Sequence, residues 1–141
     1  MNIEDEIENI FNTIKESEYD SLDDIEEIRK LAIDKVFDNF MRYEKNIENK
    51  NNAKKILEDY EFIDVEDLKK GDFIRYFNLR RFYDLKLVIG GTILDPNIND
   101  TGEFLILAPY GIKRIKPNIF FRQIKSDDMI KMKLIQLANK V

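Results

Sequence analysis

The chain has 141 residues and a formal net charge of −5, with 43% of its residues hydrophobic and 36% charged. That length and composition are typical of one folded domain with its own core, and they argue against a disordered chain. Cysteine and histidine are both absent. Their absence excludes disulfide bonds, zinc sites made of these residues, and nucleophilic catalysis with a histidine base.

The N-terminal residues and the hydropathy of the chain favour an intracellular protein. The chain begins with the acidic residues Glu4, Asp5 and Glu6, whereas a secretory signal peptide begins with basic residues followed by an apolar run. No stretch approaches the about 18 consecutive apolar residues that indicate a membrane-spanning helix. We therefore predict an intracellular, cytoplasmic location, no secretion and no membrane partner.

Charge is distributed unevenly between the two halves of the chain. Residues 1–64 carry 19 acidic and 9 basic side chains, a net charge of −10. Residues 65–141 carry 9 acidic and 14 basic side chains, a net charge of +5. The first half should therefore repel nucleic acid, whereas the second half should attract an acidic partner.

The acidic first half is predicted to form three helices. Apolar residues recur with a helical period over 2–16. Ser21 is a typical N-cap for a long helix over about 22–46, whose wide apolar stripe should contact both another helix and the sheet. The asparagine-rich residues 46–52 predict a linker, and a short third helix should follow over about 53–60.

The basic second half contains five short β-rich segments separated by turn residues. Their composition and alternation predict strands over 73–77, 85–94, 103–108, 112–116 and 119–125. Gly71 is predicted to adopt a positive φ in the turn before the first strand. The adjacent Gly90 and Gly91 predict a bulge or sharp bend of the kind that curled sheets and barrels require. A helix over about 127–139 should follow the last strand.

Together these segments predict an α+β fold. About three N-terminal helices should pack on a small antiparallel β-barrel or curled sheet of five strands, followed by a C-terminal helix that packs on the same domain. The predicted divisions are an acidic helical segment (1–64), a basic β module (65–125) and the C-terminal helix (126–141). A closed barrel and an open curled sheet are both compatible with the pattern.

No group of residues in the sequence carries a recognisable catalytic or metal-binding pattern. Acidic and amide residues alternate after the second predicted strand in the manner of calcium ligands, at Asp95, Asn97, Asn99 and Asp100. A calcium loop has a glutamate at its twelfth position, which here is Ile106 when Asp95 is counted as the first. A hairpin loop rich in turn-forming residues explains the pattern better. We predict no enzymatic activity, no metal and no cofactor.

Basic and aromatic side chains of the β module form the candidate contact surface. The candidates are Arg75, Arg80, Arg81, Lys86, Lys113, Arg114, Lys116 and Arg122, with Tyr83 and Tyr110. Several of them lie in predicted loops, where a rigid sheet can present them to a partner. Arginine beside aromatic residues on a sheet is also typical of proteins that bind single-stranded nucleic acid. The acidic first half would oppose such a polyanion.

The succession of motifs in residues 65–125 resembles small barrels of the Src-homology-3 and Tudor kind. It consists of a Leu-x-x-Gly-Asp turn at 68–72, a strand with the glycine pair, and strands at 104–107 and 119–122. The barrel family implies recognition of peptides, modified tails or nucleic acid. In a chain rich in isoleucine, lysine and asparagine, the pattern also resembles uncharacterised or virion-associated proteins of nucleocytoplasmic large DNA viruses, which implies a virion-associated location.

Two functions compete on this sequence. The first is a non-enzymatic structural or protein-interaction protein, a minor virion component if the viral resemblance holds. Its basic β module would contact an acidic protein surface or the acidic half of another copy. The second is a nucleic-acid-binding module with an acidic helical regulatory segment. The uneven charge distribution favours the first function.

Overall fold

A computed structural model of the chain describes residues 25–99, 102–116 and 119–125, together with the helical residues 5, 8–10, 12, 13, 127, 130, 134, 137 and 138. Helix α1 spans Ile25–Asp38 and helix α2 spans Glu44–Ile56. Short 3₁₀ helices follow at Leu57–Asp59, Val65–Asp67 and Phe82–Asp84. None of the described helices combines the length and the apolar character that crossing a membrane requires.

Six antiparallel strands form one sheet. They are β1 Tyr60–Ile63, β2 Phe73–Phe77, β3 Leu87–Asp95, β4 Phe104–Ala108, β5 Gly111–Ile115 and β6 Phe120–Gln123. Their order is β1-β6-β2-β3-β4-β5. β1 and β5 are the two edges and do not pair with each other, so the sheet is open and a closed barrel is not confirmed. The five predicted strands are present, whereas β1 was not predicted and lies before residue 65.

The open sheet curls around a core on its inner face. β2 and β3 lie between Phe104 of β4 and Phe120 of β6 in the sheet order, yet the two ring centroids are only 5.4 Å apart. Lys113 Nζ of β5 donates to the hydroxyl of Tyr76 in β2 at 3.3 Å. The same inner-face core contains Ile63, Ile74, Ile93, Ile106 and Ile115. Of the two predicted architectures, the curled sheet describes this fold.

The helices cover one half of the outer face. A second core joins Ala32, Ile33, Val36 and Phe37 of α1 to side chains from β1, β2 and β6. The ring of Phe77 in β2 packs edge-on against Phe37 at 5.2 Å and against Phe121 of β6 at 5.9 Å. This packing confirms that a helix of the first half contacts the sheet. The outer face of β4 and β5 contributes no residue to the core of described residues.

The helix positions differ from the prediction. The helix predicted over 22–46 is interrupted by a turn between α1 and α2. Residues 46–52 lie inside α2 and do not form a linker, because buried hydrogen bonds of Asn46 override the low helix propensity of asparagine. The helix predicted over 53–60 is the end of α2 and a 3₁₀ turn, after which the chain is extended in β1.

The predicted roles of the glycines are confirmed. Gly71 adopts a φ of +93° in the turn before β2. The register of β3 against β2 shifts at Gly90, which is the predicted bulge. Gly91 has a φ of +139°, and a Cβ there would lie 2.8 Å from the carbonyl carbon of Leu107 and closer still to its oxygen. Glycine is therefore required where β4 crosses close to β3.

The described residues of the C-terminal segment expose an apolar helical face. Ile130, Leu134 and Leu137 are spaced by four and three residues and are 59%, 60% and 61% exposed. The predicted packing of 126–141 on the domain falls mostly on residues outside the described ones and stays a prediction. Near the other terminus, Ile10 is buried in the outer-face core.

Candidate interaction surface

Three apolar side chains are exposed on the part of the outer face that the helices leave uncovered. They are Ile89, Leu107 and Ile112, which are 52%, 48% and 69% exposed, and we call them the outer strip. Leu107 pairs with Ile112 across β4 and β5. Ile89 pairs with Arg75, which on its other side pairs with the core residue Phe121. Paired residues of neighbouring strands share a face, so Ile89 lies on the outer face.

The turn after β4, together with β5 and the residue that follows it, presents basic and aromatic side chains beside the outer strip. We call residues 109–116 the basic hairpin. The Tyr110 ring in its turn is fully exposed, and Lys113, Arg114 and Lys116 are exposed as well. Arg114 is two residues from Ile112 and lies on the same outer face. Within the described residues, neither Arg114 nor Lys116 forms an ion pair.

The loop between β2 and β3 adds a second basic group at the same end of the sheet. β2, β3, β4 and β5 are neighbours in chain order and antiparallel. The β2–β3 loop and the β4–β5 turn therefore lie at the same end of the sheet. Arg80 and Arg81 are exposed in this loop. The Arg81 guanidinium lies 5.9 Å from the ring centroid of Tyr83, which is 52% exposed. Lys86 Nζ lies 3.5 Å from a carboxylate oxygen of Asp84.

Arg122, another predicted contact residue, is engaged in an ion-pair network on the inner face. It pairs with Glu61 of β1, and its Nη1 lies 3.2 Å from Asp72 Oδ2. Burial lowers the pKa of Arg122, but its bonds to these two carboxylates outweigh burial and raise the pKa overall. Asp72 also accepts a hydrogen bond from the Lys69 amide at 2.8 Å. Asp72 and Arg122 therefore fix the Leu-x-x-Gly-Asp turn to β6 and β1.

The structure thus divides the ten predicted contact residues into two groups. The members that lie at one end of the sheet or on the exposed hairpin are Arg80, Arg81, Tyr83, Lys86, Tyr110, Lys113, Arg114 and Lys116. The other two, Arg75 and Arg122, are half-buried and bond to side chains of other strands. Arg75 Nε donates to the hydroxyl of Tyr60 at 3.1 Å, and its guanidinium lies 5.7 Å from that ring's centroid. The sequence did not identify the apolar outer strip as part of the surface.

Asn46, assigned to a linker from the sequence, positions the β2–β3 loop. Its side chain is fully buried. Nδ2 donates to the carbonyl oxygens of Phe40 at 2.9 Å and Phe82 at 2.7 Å. Oδ1 accepts a hydrogen bond from the Leu85 amide at 2.9 Å. Backbone groups thus satisfy the side-chain amide at both ends. Only tertiary contacts distinguish Asn46 from the asparagines around it.

The β1 edge of the sheet is covered by a buried arginine. Arg29 of α1 is 8% exposed, and its Nη1 donates to the carbonyl oxygens of Glu58 at 2.7 Å and Tyr60 at 3.3 Å. Burial lowers the pKa of Arg29, and the nearby carboxylates of Glu26, Glu58 and Asp59 partly offset that effect. Among the described residues, no side chain donates a hydrogen bond to β5 in the same way.

Among the described residues no metal-binding group indicates a function, and the comparisons with known proteins do not indicate one either. The described part of the chain contains no group of three or more acidic side chains placed to hold a metal ion, and Asp100 of the calcium-like loop lies outside it. The chain matches no protein-family model, and no curated protein or solved structure is found to be similar to it. Function must therefore be inferred from the outer strip and the basic hairpin themselves.

Proposed function

We propose that this is a non-enzymatic interaction protein whose outer strip and basic hairpin together bind an acidic surface of a partner protein. One observation carries this proposal. The outer face is buried under helices over β1, β6 and β2, whereas Ile89, Leu107 and Ile112 on β3, β4 and β5 are about half exposed or more. Apolar residues grouped on a surface and bordered by polar ones are typical of protein-binding sites.

The residue types of the surface support a protein partner. Tyrosine and arginine are enriched in protein interfaces and dominate their binding energy. The basic hairpin places Tyr110 and Arg114 beside the apolar side chains. Tyr110 is fully exposed, so its ring has its entire surface available for burial against a partner.

The pairing of charges supports an acidic partner. In the helical half, Lys50 and Lys54 lie 3.0 Å and 3.1 Å from the carboxylate of Asp34. In the basic hairpin, Arg114 and Lys116 have no such carboxylate among the described residues. Unpaired cations beside an apolar surface complement a partner that carries carboxylates around an apolar centre.

Nucleic acid is the second candidate partner, and Tyr110 is the observation that favours it. An exposed ring beside three cations is able to stack on an unpaired base while the cations contact phosphates. The net charge of −10 on residues 1–64 opposes a long polyanion more than it opposes a compact acidic patch. Membership of a virus particle stays a prediction from the family resemblance.

The test compares two double variants of equal charge change. Lys113→Glu/Arg114→Glu alters the basic hairpin, and Lys45→Glu/Lys55→Glu alters exposed lysines of α2. Proteins recovered by tagged full-length wild type from source-cell extract are identified by mass spectrometry. We expect the hairpin variant to lose a partner that the α2 variant keeps. Retention of every partner by the hairpin variant would contradict the proposal.

A second measurement separates the two candidate partners. Binding of the full chain to single-stranded DNA and RNA is titrated at about 50 mM and about 200 mM salt. A protein that binds nucleic acid through phosphate contacts loses affinity steeply between these concentrations. We expect no saturable binding at the lower concentration. Tight binding that the Lys113→Glu/Arg114→Glu variant abolishes would favour the nucleic-acid function instead.

A further inference from the structure

We propose that β5 is a strand-addition site at which an extended, acidic segment of the partner pairs with the free edge of the sheet. This inference rests on the proposed function and specifies how the partner binds. β5 pairs with β4 along five residues, Gly111 to Ile115. None of the described strands pairs with its other side. In an antiparallel sheet, alternate residues of an edge strand direct their N–H and C=O groups outward, where a new strand can bond to them.

The two edges of the sheet differ in a way that points to β5. At β1 both terminal residues of the strand are buried, and Arg29 donates to the carbonyl oxygen of Tyr60. At β5 the first four residues are exposed. A five-residue strand spans about 17 Å, which is sufficient for a short peptide to form several backbone hydrogen bonds.

The side chains of β5 specify what such a peptide should contain. Ile112 and Arg114 lie on the outer face, whereas Lys113 between them lies on the inner side. Three consecutive peptide residues opposite them would alternate between the faces in the same way. Cross-strand pairing then favours an aliphatic residue opposite Ile112 and carboxylates opposite Lys113 and Arg114. The recognised segment is therefore an aliphatic residue adjoining two acidic residues in extended conformation.

Charge complementarity selects this occupant over a second copy of β5. Two β5 strands paired with each other would bring Lys113 and Arg114 of both copies together, and like charges on neighbouring strands are destabilising. An acidic strand converts the same charges into ion pairs. Lysine on an exposed edge also limits uncontrolled strand pairing, which is compatible with recognition of an acidic strand alone.

The test uses peptide probes against the full-length wild type. The probe is a fluorescent nine-residue peptide with an aliphatic residue and two glutamates at its centre, flanked by threonine and valine. Two further peptides carry N-methyl groups on alternate residues, one on the odd set and one on the even set. N-methylation removes backbone donors and leaves charge unchanged. Because only one set faces β5, we expect one methylated peptide to bind about tenfold more weakly and the other to match the parent.

Hydrogen exchange and protein variants complete the experiment. Parent peptide should slow amide exchange in β5 and leave β1 unaffected. Lys113→Glu/Arg114→Glu should weaken binding about tenfold at 0.1 M salt, whereas Lys45→Glu/Lys55→Glu should not. Far-ultraviolet circular dichroism checks that both variants fold. The methylated peptides are tested on wild type, so that part of the test does not depend on any variant.

Each outcome decides between the two proposals. Absence of parent-peptide binding, or equal binding by both methylated peptides, overturns strand addition. If the hairpin variant nevertheless loses its protein partner, the proposed function stands and only the strand-addition inference fails. If the hairpin variant keeps every partner as well, both fail. Displacement of the peptide by single-stranded oligonucleotide at lower concentration would also overturn the inference.

Discussion

The two edges of the sheet are treated in opposite ways. At β1, α1 packs against the strand, and Arg29 donates to the carbonyl oxygens of Glu58 and Tyr60. At β5, four of the five residues are exposed, and the described residues provide no comparable cover. An edge strand exposes backbone groups that another chain can pair with, and proteins limit this by covering the edge or by placing charges on it. This protein uses cover at β1 and charge at β5.

The outer face shows the same difference between a covered half, over β1, β6 and β2, and an exposed half, over β3, β4 and β5. Phe77 and Phe121 are completely buried beneath the helices, whereas Ile112 is 69% exposed. Apolar area removed from water stabilises the fold, at about 25 cal/mol per Å². Side chains under the helices therefore contribute to folding, whereas those of the outer strip leave much of their apolar area in water. The buried half of the outer face therefore stabilises the fold, and the surface that we propose for recognition lies outside it.

The largest expected effect on stability comes from a comparison of one residue in the covered half of the outer face with one in the exposed half. Phe77→Ala should lower the free energy of unfolding by about 4 kcal/mol, because it leaves a cavity between Phe37 and Phe121. Ile112→Ala should lower it by less than about 0.5 kcal/mol. Urea denaturation followed by circular dichroism measures both changes. Similar losses would mean that Ile112 is buried in solution and that the two halves of the outer face do not differ in burial.

A second test asks whether β3 and β4, which the helices leave uncovered, are tightly packed against each other. Gly91→Ala should destabilise by about 3 kcal/mol, through strain at positive φ and collision with the Leu107 carbonyl group. Gly111→Ala is the matched control, since its φ of +133° is similar but a Cβ there meets no atom within 4 Å. The control should lose only the strain component, about 1 kcal/mol. Equal losses in chemical denaturation would show that β4 does not approach β3 closely.

A smaller effect is expected at the covered edge. Arg29→Met keeps much of the aliphatic side chain but removes the donor to Glu58 and Tyr60. We expect the free energy of unfolding to fall by about 1–2 kcal/mol, because the two carbonyl groups lose a buried partner. Lys30→Met, at the exposed neighbouring position, is the control and should change little. An unchanged unfolding free energy for Arg29→Met would mean that helix packing alone covers β1.

The smallest effect concerns the paired lysines of the helical half and depends on pH. Burial raises the pKa of Asp34, but its bonds to Lys50 and Lys54 outweigh burial, so the pKa lies below its usual 3.8. The stabilisation from a carboxylate with a lowered pKa is complete above its usual value and is lost as pH falls through the lowered one.

Asp34→Asn should therefore reduce the pH dependence of stability at the acidic end. Between about pH 5 and about pH 3, wild type should lose more of its unfolding free energy than the variant. Urea denaturation at several pH values provides the measurement. Asp38→Asn is the control, because the Asp38 carboxylate lies 4.0 Å from Lys50 Nζ and forms a weaker pair than Asp34. Parallel pH profiles for wild type and Asp34→Asn would show that these lysines are not paired in solution.

Local patterns predicted much of the sheet. Alternating apolar residues indicated five of the six strands, and Gly71 and the pair Gly90-Gly91 indicated a turn and a bulge that the structure contains. These features depend on neighbouring residues, because positive φ and side-chain alternation are local properties. The structure removes two residues from the predicted contact surface. Arg75 and Arg122 bond to residues that are distant in the chain.

Long-range contacts account for what the sequence did not predict. β1 follows a helix directly and is only four residues long, so its identity as a strand depends on pairing with β6, about 60 residues further along the chain. α2 contains a run of residues with low helix propensity, and its Asn46 bonds to the β2–β3 loop. No local pattern contains these partners.

Composition, charge distribution and periodicity determined the fold class, five of the six strands, and the concentration of cations in the second half. Those properties are carried by each residue and its near neighbours. Only the tertiary structure decided that the sheet stays open, that α1 covers β1, and that the outer strip and β5 remain exposed. The physical reason is that burial depends on which surfaces meet after the chain folds. The sequence of an apolar strand residue and its neighbours is the same whether a helix covers that residue or not.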